Sequence, residues 1–245
     1  LNRTETAEPE TRAITFILVD SLLLTIRYCS PLPFTTFVAR LRSHPEFLES
    51  AEMGLCELID AIIDRIADSL EMVDSEVNQL SRTIFAPAGG PQKTEVDYAQ
   101  ALNTIGLNAI RCTKVDESLV GLSRLLTFFD ASLRSGSLKT VRLRLKDLQR
   151  DIVSLSGYVA RLSERLTLML EATLGMVNIQ QNSIIKIFSV IAVVFLPPTL
   201  VASIYGMNFR VLPELHWAWG YPFALGLMVL SGIAPYWIFK RKGWL

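Results

Sequence analysis

Two long uncharged stretches near the C-terminus constrain the fold of this chain more than any other feature. They cover residues 187–209 and 217–239, which is 23 residues each. As helices they would be about 34 Å long, enough to cross a bilayer core of roughly 30 Å. We therefore predict two membrane-spanning helices joined by a short external loop, residues 210–216.

The charges beside these stretches predict how the chain is oriented. A basic tail, residues 240–245, begins with Lys240, Arg241 and Lys242 directly after the second stretch, whereas the loop carries one arginine and one glutamate. Basic residues collect on the cytoplasmic side of a membrane, where they also bind phospholipid headgroups. The tail is therefore expected to be cytoplasmic. Two crossings return the chain to its starting side, so the N-terminal part should be cytoplasmic too.

Composition and isolated residues exclude several classes of function. The formal net charge is zero, so no basic face indicates a nucleic-acid partner. Three cysteines, Cys29, Cys56 and Cys112, lie far apart and are expected to be buried thiols. His44 and His216 are equally isolated, and no phosphate-binding loop with a G-x-x-x-x-G-K-[ST] pattern occurs. We therefore expect no enzymatic activity and no organic cofactor.

Residues 1–44 are predicted to be the remnant of a cytoplasmic α/β domain. Apolar runs at 13–19 and 22–27 flank a short polar break, which predicts a β-hairpin. Because two strands alone are marginally stable in water, further strands are expected in sequence that precedes Leu1. A short helix is predicted over 34–42. The fold class is thus mainly α, with a partial α/β cytoplasmic domain.

Residues 45–137 are predicted to hold two long cytoplasmic helices. The first begins at Pro45 and runs through about Phe85, and the second spans roughly Glu95 to Leu133. A segment rich in proline and glycine, residues 86–91, separates them.

A third helix, residues 138–186, has the clearest apolar pattern and is predicted to be a stalk. Its apolar residues alternate at spacings of three and four, as in a coiled coil or helical bundle. They are Leu138, Val141, Leu145, Leu148, Ile152, Leu155, Val159, Leu162, Leu166 and Met169. No proline interrupts residues 138–196, so the stalk is expected to continue into the first membrane span. Its partners are the two preceding helices or other subunits.

The same spacing reaches polar residues beyond Met169. They are Thr173, Gln180 and Ser183, with Asn182 beside the last. Polar groups in place of leucine just before a membrane span predict a wet interior. A helix that turns toward solvent at the membrane surface is the alternative.

The first span has no Asp, Glu, Lys, Arg or His side chain but several neutral oxygens. They belong to Ser189, Thr199, Ser203, Asn208 and the backbone of Gly206. The absence of acids and bases argues against a proton relay. Mg²⁺ gives up its water reluctantly, so a ring of amide and carbonyl oxygens suits the hydrated ion. One chain supplies one asparagine, so a ring requires several chains.

The Gly206-Met207-Asn208 triplet, between Tyr205 and Phe209, resembles the signature of the CorA family of magnesium channels. Four further segments are similar to the proteobacterial branch of that family: residues 178–189, 195–200, 213–215 and 239–245. The resemblance is close over about residues 175–245, and the helical organisation extends it to nearly the whole chain.

The resemblance implies a homopentamer in the cell inner membrane. The first span would line the pore, the second would face lipid, and the cytoplasmic part would form a funnel. Gly206, Met207 and Asn208 would be the selectivity filter for hydrated Mg²⁺. The resemblance and helical position together imply a pore lining, which is Tyr205, Thr199, Leu196, Phe188 and Asn182. For Phe188, ordinary packing against lipid or another helix is the alternative to a constriction.

Two further roles are expected for acidic residues, the first of them implied by the resemblance. Asp147 and Asp151 would hold regulatory Mg²⁺ between neighbouring subunits and keep the channel closed. The alternative is that they are solvated acids, since Arg144 and Arg150 are ordinary partners for Asp147 three residues away. Glu214 would form an acidic outer rim, unless it belongs to a plain surface loop.

Two other functions remain open from the residues. A zinc transporter of the same superfamily is the nearest alternative, although those relatives typically carry isoleucine where this chain has Met207. Cobalt and nickel are also expected to permeate as hydrated divalent ions. The alternative from another class is a membrane-anchored coiled-coil scaffold, which leaves the polar ends at Asn182 and Asn208 unexplained.

Overall fold

Five helices and one hairpin make up the part of the chain that the structure describes. This computed structural model describes residues 11–43, 49–85, 97–133, 139–207, 217 and 219–242. The elements in chain order are β1 (Ile14–Val19), β2 (Leu22–Arg27), α1 (Leu32–Ser43), α2 (Ala51–Ile84), α3 (Tyr98–Ser132), α4 (Lys139–Tyr205) and α5 (Gly220–Arg241). The predicted fold class, mainly α with a small β part, is confirmed. The chain divides into two compact units, Leu1–Thr173 and Leu174–Leu245.

The β-hairpin is stabilised by helices in the first unit. β1 and β2 pair antiparallel with Val19 opposite Leu22, and Asp20 occupies the turn with a φ of 49°. Aspartate tolerates this left-handed conformation better than most residues do. The ring of Phe16 stacks on Phe34 of α1, with 6.4 Å between ring centroids. Packing on helices therefore supplies the stability that two strands lack in water.

Side-chain hydrogen bonds define where α2 and α3 begin. The Ser50 hydroxyl accepts a hydrogen bond from the Met53 amide, and the Asp97 carboxylate accepts from the amides of Ala99 and Gln100. Both residues have extended backbones, so they satisfy amides that have no partner within the helix. α2 thus begins after the predicted start at Pro45, which lies outside the described residues.

The predicted seam on α4 is buried in the first unit. Its residues pack in one apolar core with side chains of α2 and α3. Leu155 is partly buried and Leu138 lies outside the described residues. The other eight are fully buried: Val141, Leu145, Leu148, Ile152, Val159, Leu162, Leu166 and Met169. The two preceding helices of the same chain, α2 and α3, are therefore packing partners of this seam.

Half-buried arginines join the helices around this core. Arg144 of α4 donates to Glu57 at 3.2 Å and to Asp60 at 2.6 Å, both on α2. Burial raises the pKa of the Asp60 carboxyl above its usual value, and Arg144 beside it acts in the opposite direction. Arg165 of α4 likewise donates to Asp74 and Asn78 of α2. These contacts fix the axial position of α4 relative to α2.

Two of the three cysteines lie in the core, as predicted. Cys56 and Cys112 are buried, Cys29 is partly exposed, and all three are free thiols. Burial raises the pKa of the Cys56 thiol to about 12, so it stays protonated and unreactive at neutral pH.

The second unit contains the end of α4 and the whole of α5. Both helices are long and apolar enough to cross a membrane, judged by length and composition. α4 continues through Pro197 and Pro198 without ending. It ends at Tyr205, so the predicted span to Phe209 extends beyond the helix by a turn at Gly206 and by residues outside the described ranges.

Candidate functional site

Five residues of α4 and the following Gly206 form one stripe on the exposed face of this segment in the second unit. They follow one another at spacings of 4, 4, 3, 4 and 3, which places them on one face of a helix. The exposed stripe consists of Phe188, Ala192, Leu196, Thr199, Ser203 and Gly206. The side chains of Phe188 and Leu196 are 68% and 66% exposed in the single chain. Large apolar groups at this exposure indicate a surface that other molecules cover.

The opposite face of α4 lies toward α5. Val190, nine residues from Thr199 and thus about 180° around the helix, is buried. A methyl group placed on Gly232 of α5 would lie 3.4 Å from Pro198 Cγ and 3.6 Å from the carbonyl oxygen of Val194. Because α5 covers this side, the exposed stripe lies on the side of α4 that remains uncovered, beside other exposed side chains such as Ile191, Phe195 and Leu200.

Thr199 offers an oxygen to the exposed stripe. Its hydroxyl donates a 2.7 Å hydrogen bond to the carbonyl of Phe195, one turn earlier in the same helix. A hydroxyl has one donor and two acceptor lone pairs, and this donor is already used. The free lone pairs of Thr199 can therefore accept from water, which matches the outward hydrogens of a hydrated cation.

Gly206 closes the helix at the end of the exposed stripe. Its amide donates to the Ala202 carbonyl at 2.9 Å, and the Met207 amide donates to the Ile204 carbonyl at 3.3 Å. A Cβ on Gly206 would lie 3.1 Å from the Ala202 oxygen, closer than side chains normally come to a backbone atom. The position therefore favours glycine. Asn208 and Glu214 lie outside the described residues.

Two of the residues predicted to line a pore are not members of the exposed stripe. Asn182 is exposed and lies about 40° around a regular helix from Leu196, at the edge of the stripe. Tyr205 is half-buried and lies about 20° from Pro198 around the helix, on the side that faces α5. This position suits a supporting role for Tyr205 better than a lining role.

The polar residues that follow Met169 become exposed toward the membrane span. Thr173 is fully buried and donates to the Met169 carbonyl at 2.7 Å. Gln180, Asn182 and Ser183 are all exposed. The buried face of α4 in the first unit therefore ends at Thr173, and from there to the span the helix exposes both polar residues and apolar ones such as Leu174 and Ile179.

The acidic pair predicted to bind regulatory metal is exposed in the first unit. Asp147 accepts a 3.1 Å hydrogen bond from Arg150, while Arg144 is turned toward α2. The expected pairing of Asp147 with both arginines is therefore wrong for Arg144. The charge of Asp151 adds to the raised pKa of Asp60. Among the described residues, no group of three or more His, Cys, Asp or Glu side chains is arranged to hold a metal ion.

The basic tail begins within the last turn of α5, which contains Lys240 and Arg241. Lys240, Arg241 and Lys242 are all exposed. The guanidinium of Arg241 lies 3.5 Å from the ring centroid of Trp237. Aromatic rings and basic groups at the end of a bilayer-length helix are typical of a membrane interface.

Two relevant positions, Ala192 and Gly232, were not predicted, and Ser203 was predicted only as one of the neutral oxygens of the span. Ala192 and Ser203 complete the exposed stripe, and Gly232 contacts the opposite face of α4. The spacing of seven residues from Thr199 to Ala192, and from Leu196 to Ser203, is the signal that identifies Ala192 and Ser203. Nothing in the local sequence distinguishes Gly232 from the other glycines of α5.

Comparisons with known proteins identify a family for the whole chain. The family model described as CorA-like Mg²⁺ transporter protein matches residues 1–241. The magnesium transport protein CorA of Pasteurella multocida (strain Pm70) is 40% identical over 233 residues, which is 95% of this chain and 72% of the relative. The protein of the same name from Escherichia coli (strain K12) is 40% identical over 234 residues, or 95% of this chain and 71% of the relative.

Two solved structures share the fold. The CorA magnesium transporter from Methanocaldococcus jannaschii superposes with a TM-score of 0.76 at 24% identity, covering 94% of this chain and 71% of that one. The full-length CmaX protein superposes with a TM-score of 0.63 at 14% identity, covering 98% of this chain and 71% of that one. At these identities the likeness establishes the fold alone.

Proposed function

Because this chain belongs to the CorA-like Mg²⁺ transporter family, we propose that it forms a homopentameric Mg²⁺ channel in the cell inner membrane. The observation that carries the proposal is the exposed stripe of α4. In one chain the stripe is an apolar surface with a few oxygens, and α5 covers the opposite face. Five copies around an axis would turn the stripe into the lining of a pore. The family consists of transporters, so the chain is not assigned to an enzyme class.

We assign each segment a part in this channel. Residues 138–186 form the stalk, 187–209 the pore helix and 217–239 the helix that faces lipid. The basic tail lies on the cytoplasmic side, as does the N-terminal part. Inward flux then follows the membrane potential, which supplies about 4.6 kcal/mol per divalent ion per 100 mV, twice the value for a unit charge.

The selectivity filter is a ring of Gly206, Met207 and Asn208. Five asparagine amides and five glycine carbonyls provide neutral oxygens that hydrogen-bond to water on the ion. This suits Mg²⁺, because Mg²⁺ keeps several of its waters when it binds to proteins. Thr199 supplies a second polar ring below the filter, and its free lone pairs support that role.

Leu196 and Phe188 form apolar constrictions between the Thr199 ring and the inner mouth at Asn182. Apolar constrictions exclude water, so a small reduction in diameter stops hydrated ions. The exposure of both side chains on one face of α4 supports this assignment. Tyr205 supports the filter from the side of α5, Asn182 lies at the inner mouth, and Glu214 forms an acidic outer rim.

The cargo is Mg²⁺, with Co²⁺ and Ni²⁺ as further permeant ions. All three bind water in six-coordinate shells, so a filter that contacts only the water layer distinguishes them weakly. Met207 favours magnesium over the zinc transporters of the same superfamily. The preference among these ions is measured by how strongly Co²⁺ or Ni²⁺ inhibits Mg²⁺ uptake. Uptake of Zn²⁺ in preference to Mg²⁺ would instead indicate a zinc transporter.

Reconstitution tests the proposed function. The purified chain is placed in liposomes that contain a magnesium-sensitive dye, and a potential that is negative inside is imposed. We expect Mg²⁺ uptake that rises with the potential, and light scattering in detergent that gives the mass of five chains. Liposomes without protein are the control. Uptake equal to that control would reject the channel.

Substitution of Gly206 by alanine is expected to reduce Mg²⁺ uptake strongly. The new methyl group would lie 3.1 Å from the Ala202 oxygen, so the carbonyl or the turn must shift by a few tenths of an ångström. A shift there moves the filter that follows in sequence. Gly226→Ala is the matched control, because a Cβ at Gly226 has no neighbour within 4 Å. Equal uptake by the two variants would show that the tight contact at Gly206 is irrelevant to transport.

Asp147 and Asp151 are proposed to bind regulatory Mg²⁺ between subunits. Asp147→Ala is expected to shift protection of the channel from proteolysis to higher Mg²⁺ concentrations, because one carboxylate ligand is lost. The measurement is the fraction of intact chain against Mg²⁺ concentration at fixed protease. Glu164→Ala removes an exposed acid elsewhere on α4 and should leave the curve unchanged. Superimposable curves for wild type and Asp147→Ala would rule out this regulatory site.

A further inference from the structure

The two prolines of α4 leave two backbone carbonyls without their helical donors. Proline has no amide hydrogen, so Pro197 and Pro198 cannot donate to the carbonyls of Val193 and Val194, four residues earlier. Within hydrocarbon an unsatisfied carbonyl is unfavourable, and neighbouring helices commonly compensate for it. The two prolines lie directly between Leu196 and Thr199 of the exposed stripe.

Gly232 of α5 lies against one of these carbonyls. A Cβ built on Gly232 would be 3.6 Å from the Val194 oxygen and 3.4 Å from Pro198 Cγ. Without a side chain, the α-carbon of glycine can approach the oxygen and offer a weak C–H···O contact. Gly226, two turns earlier on α5, has no atom within 4 Å of the same built position. The two glycines of one helix therefore differ in what they contact.

We propose that Gly232 is a positioning residue for ion conduction. Its close contact holds the proline segment of α4, Pro197 and Pro198, and thereby the stripe residues Leu196 and Thr199 on either side of it. The proposal rests on the proposed function, because it takes the exposed stripe as the pore lining. A large side chain at this position would separate α5 from Pro198. Leu196 and Thr199 would then move relative to the pore axis, since they flank the segment that is displaced.

Leucine substitutions at the two glycines test this role. Gly232→Leu should lower the maximal rate of Mg²⁺ uptake by about tenfold, because overpacking at a close contact displaces its neighbours. Gly226→Leu adds the same side chain to open space on α5 and should keep uptake within about twofold of wild type. Gly232→Ala should likewise keep the uptake rate close to that of wild type, because a methyl group at 3.4 Å from Pro198 Cγ and 3.6 Å from the Val194 oxygen makes ordinary contacts. The half-saturating Mg²⁺ concentration should stay unchanged in all three, since the filter is not altered.

A second substitution tests whether Gly232 acts through the proline. Pro198→Ala removes the ring that the leucine side chain meets and restores an amide donor for the Val194 carbonyl. The double variant Gly232→Leu/Pro198→Ala should therefore recover at least half of the lost rate. A defect in folding alone would not be rescued in this way.

Amide hydrogen exchange gives a readout that does not depend on transport. Exchange of the amides at residues 194–196 and 199–202 should be faster in Gly232→Leu than in wild type or Gly226→Leu. Where Gly232→Leu does not yield a pentamer, Gly232→Val is used with the same expectations. Equal uptake and equal exchange for Gly232→Leu and Gly226→Leu would overturn the proposal. An absence of uptake in wild type would reject the proposed channel instead. The exchange comparison would still show whether Gly232 holds the proline segment of α4.

Discussion

Asn208→Ala should reduce Mg²⁺ uptake in proteoliposomes to the level of vesicles without protein. The substitution removes five amide side chains from the proposed filter at once, because each subunit contributes one. Those amides are proposed to hydrogen-bond to the water shell of the ion, and alanine offers no group that replaces them. The pentamer is expected to remain intact, because the change removes only one small polar side chain per subunit. Uptake and oligomer mass are measured on the same preparation.

Asn178→Ala is the control for this experiment. Asn178 is an exposed asparagine on α4 that precedes the first membrane span. Its replacement removes the same chemical group and should leave uptake near the wild-type rate. Undiminished uptake by Asn208→Ala would reject the assigned filter. Loss of the pentamer would show that the substitution impairs assembly.

Leu148→Ala should destabilise the first unit by about 2–5 kcal/mol, the range for removing a fully buried leucine. The side chain of Leu148 is 0% exposed and lies in the core shared by α2, α3 and α4. Alanine leaves a cavity that the surrounding helices fill only in part. For a unit of this size the melting temperature should fall by roughly 2–4 °C per kcal/mol. Thermal unfolding followed by circular dichroism in detergent measures the change.

Leu143→Ala makes the same chemical change on an exposed part of the same helix. The side chain of Leu143 is 62% exposed, so its truncation should alter stability by no more than about 0.5 kcal/mol. The two variants therefore separate the effect of burial from that of helix propensity. Equal melting temperatures would mean that the seam on α4 does not hold the helices together.

The helices and the hairpin could be predicted because their signals are local. The alternation of three and four residues from Val141 to Met169 predicted a buried seam, and the structure confirms it. The hairpin strands were predicted from short apolar runs on either side of Asp20. Helix starts were predicted less well: α2 begins after Ser50, because a hydroxyl that caps an amide defines the start and apolar spacing does not.

Contacts between helices could not be predicted in the same way. Arg144 was expected to pair with Asp147, three residues away on the same helix. In the structure it pairs with Glu57 and Asp60, 87 and 84 residues away. A long arginine side chain reaches several acids, and only the position of α2 decides which of them is close. The partner of Gly232 was undetermined for the same reason.

The sequence by itself determined that two stretches are long and apolar enough to cross a membrane, that a heptad seam leads into the first, and that the chain resembles the CorA family. These properties depend on residue order along one helix, where period and hydropathy are sufficient. The tertiary structure decided which face of α4 is covered by α5 and which face remains exposed. It also decided that the glycine at position 232, and not the one at 226, meets Pro198. Both outcomes depend on how two helices lie against each other, and that is set by packing distances that no single helix encodes.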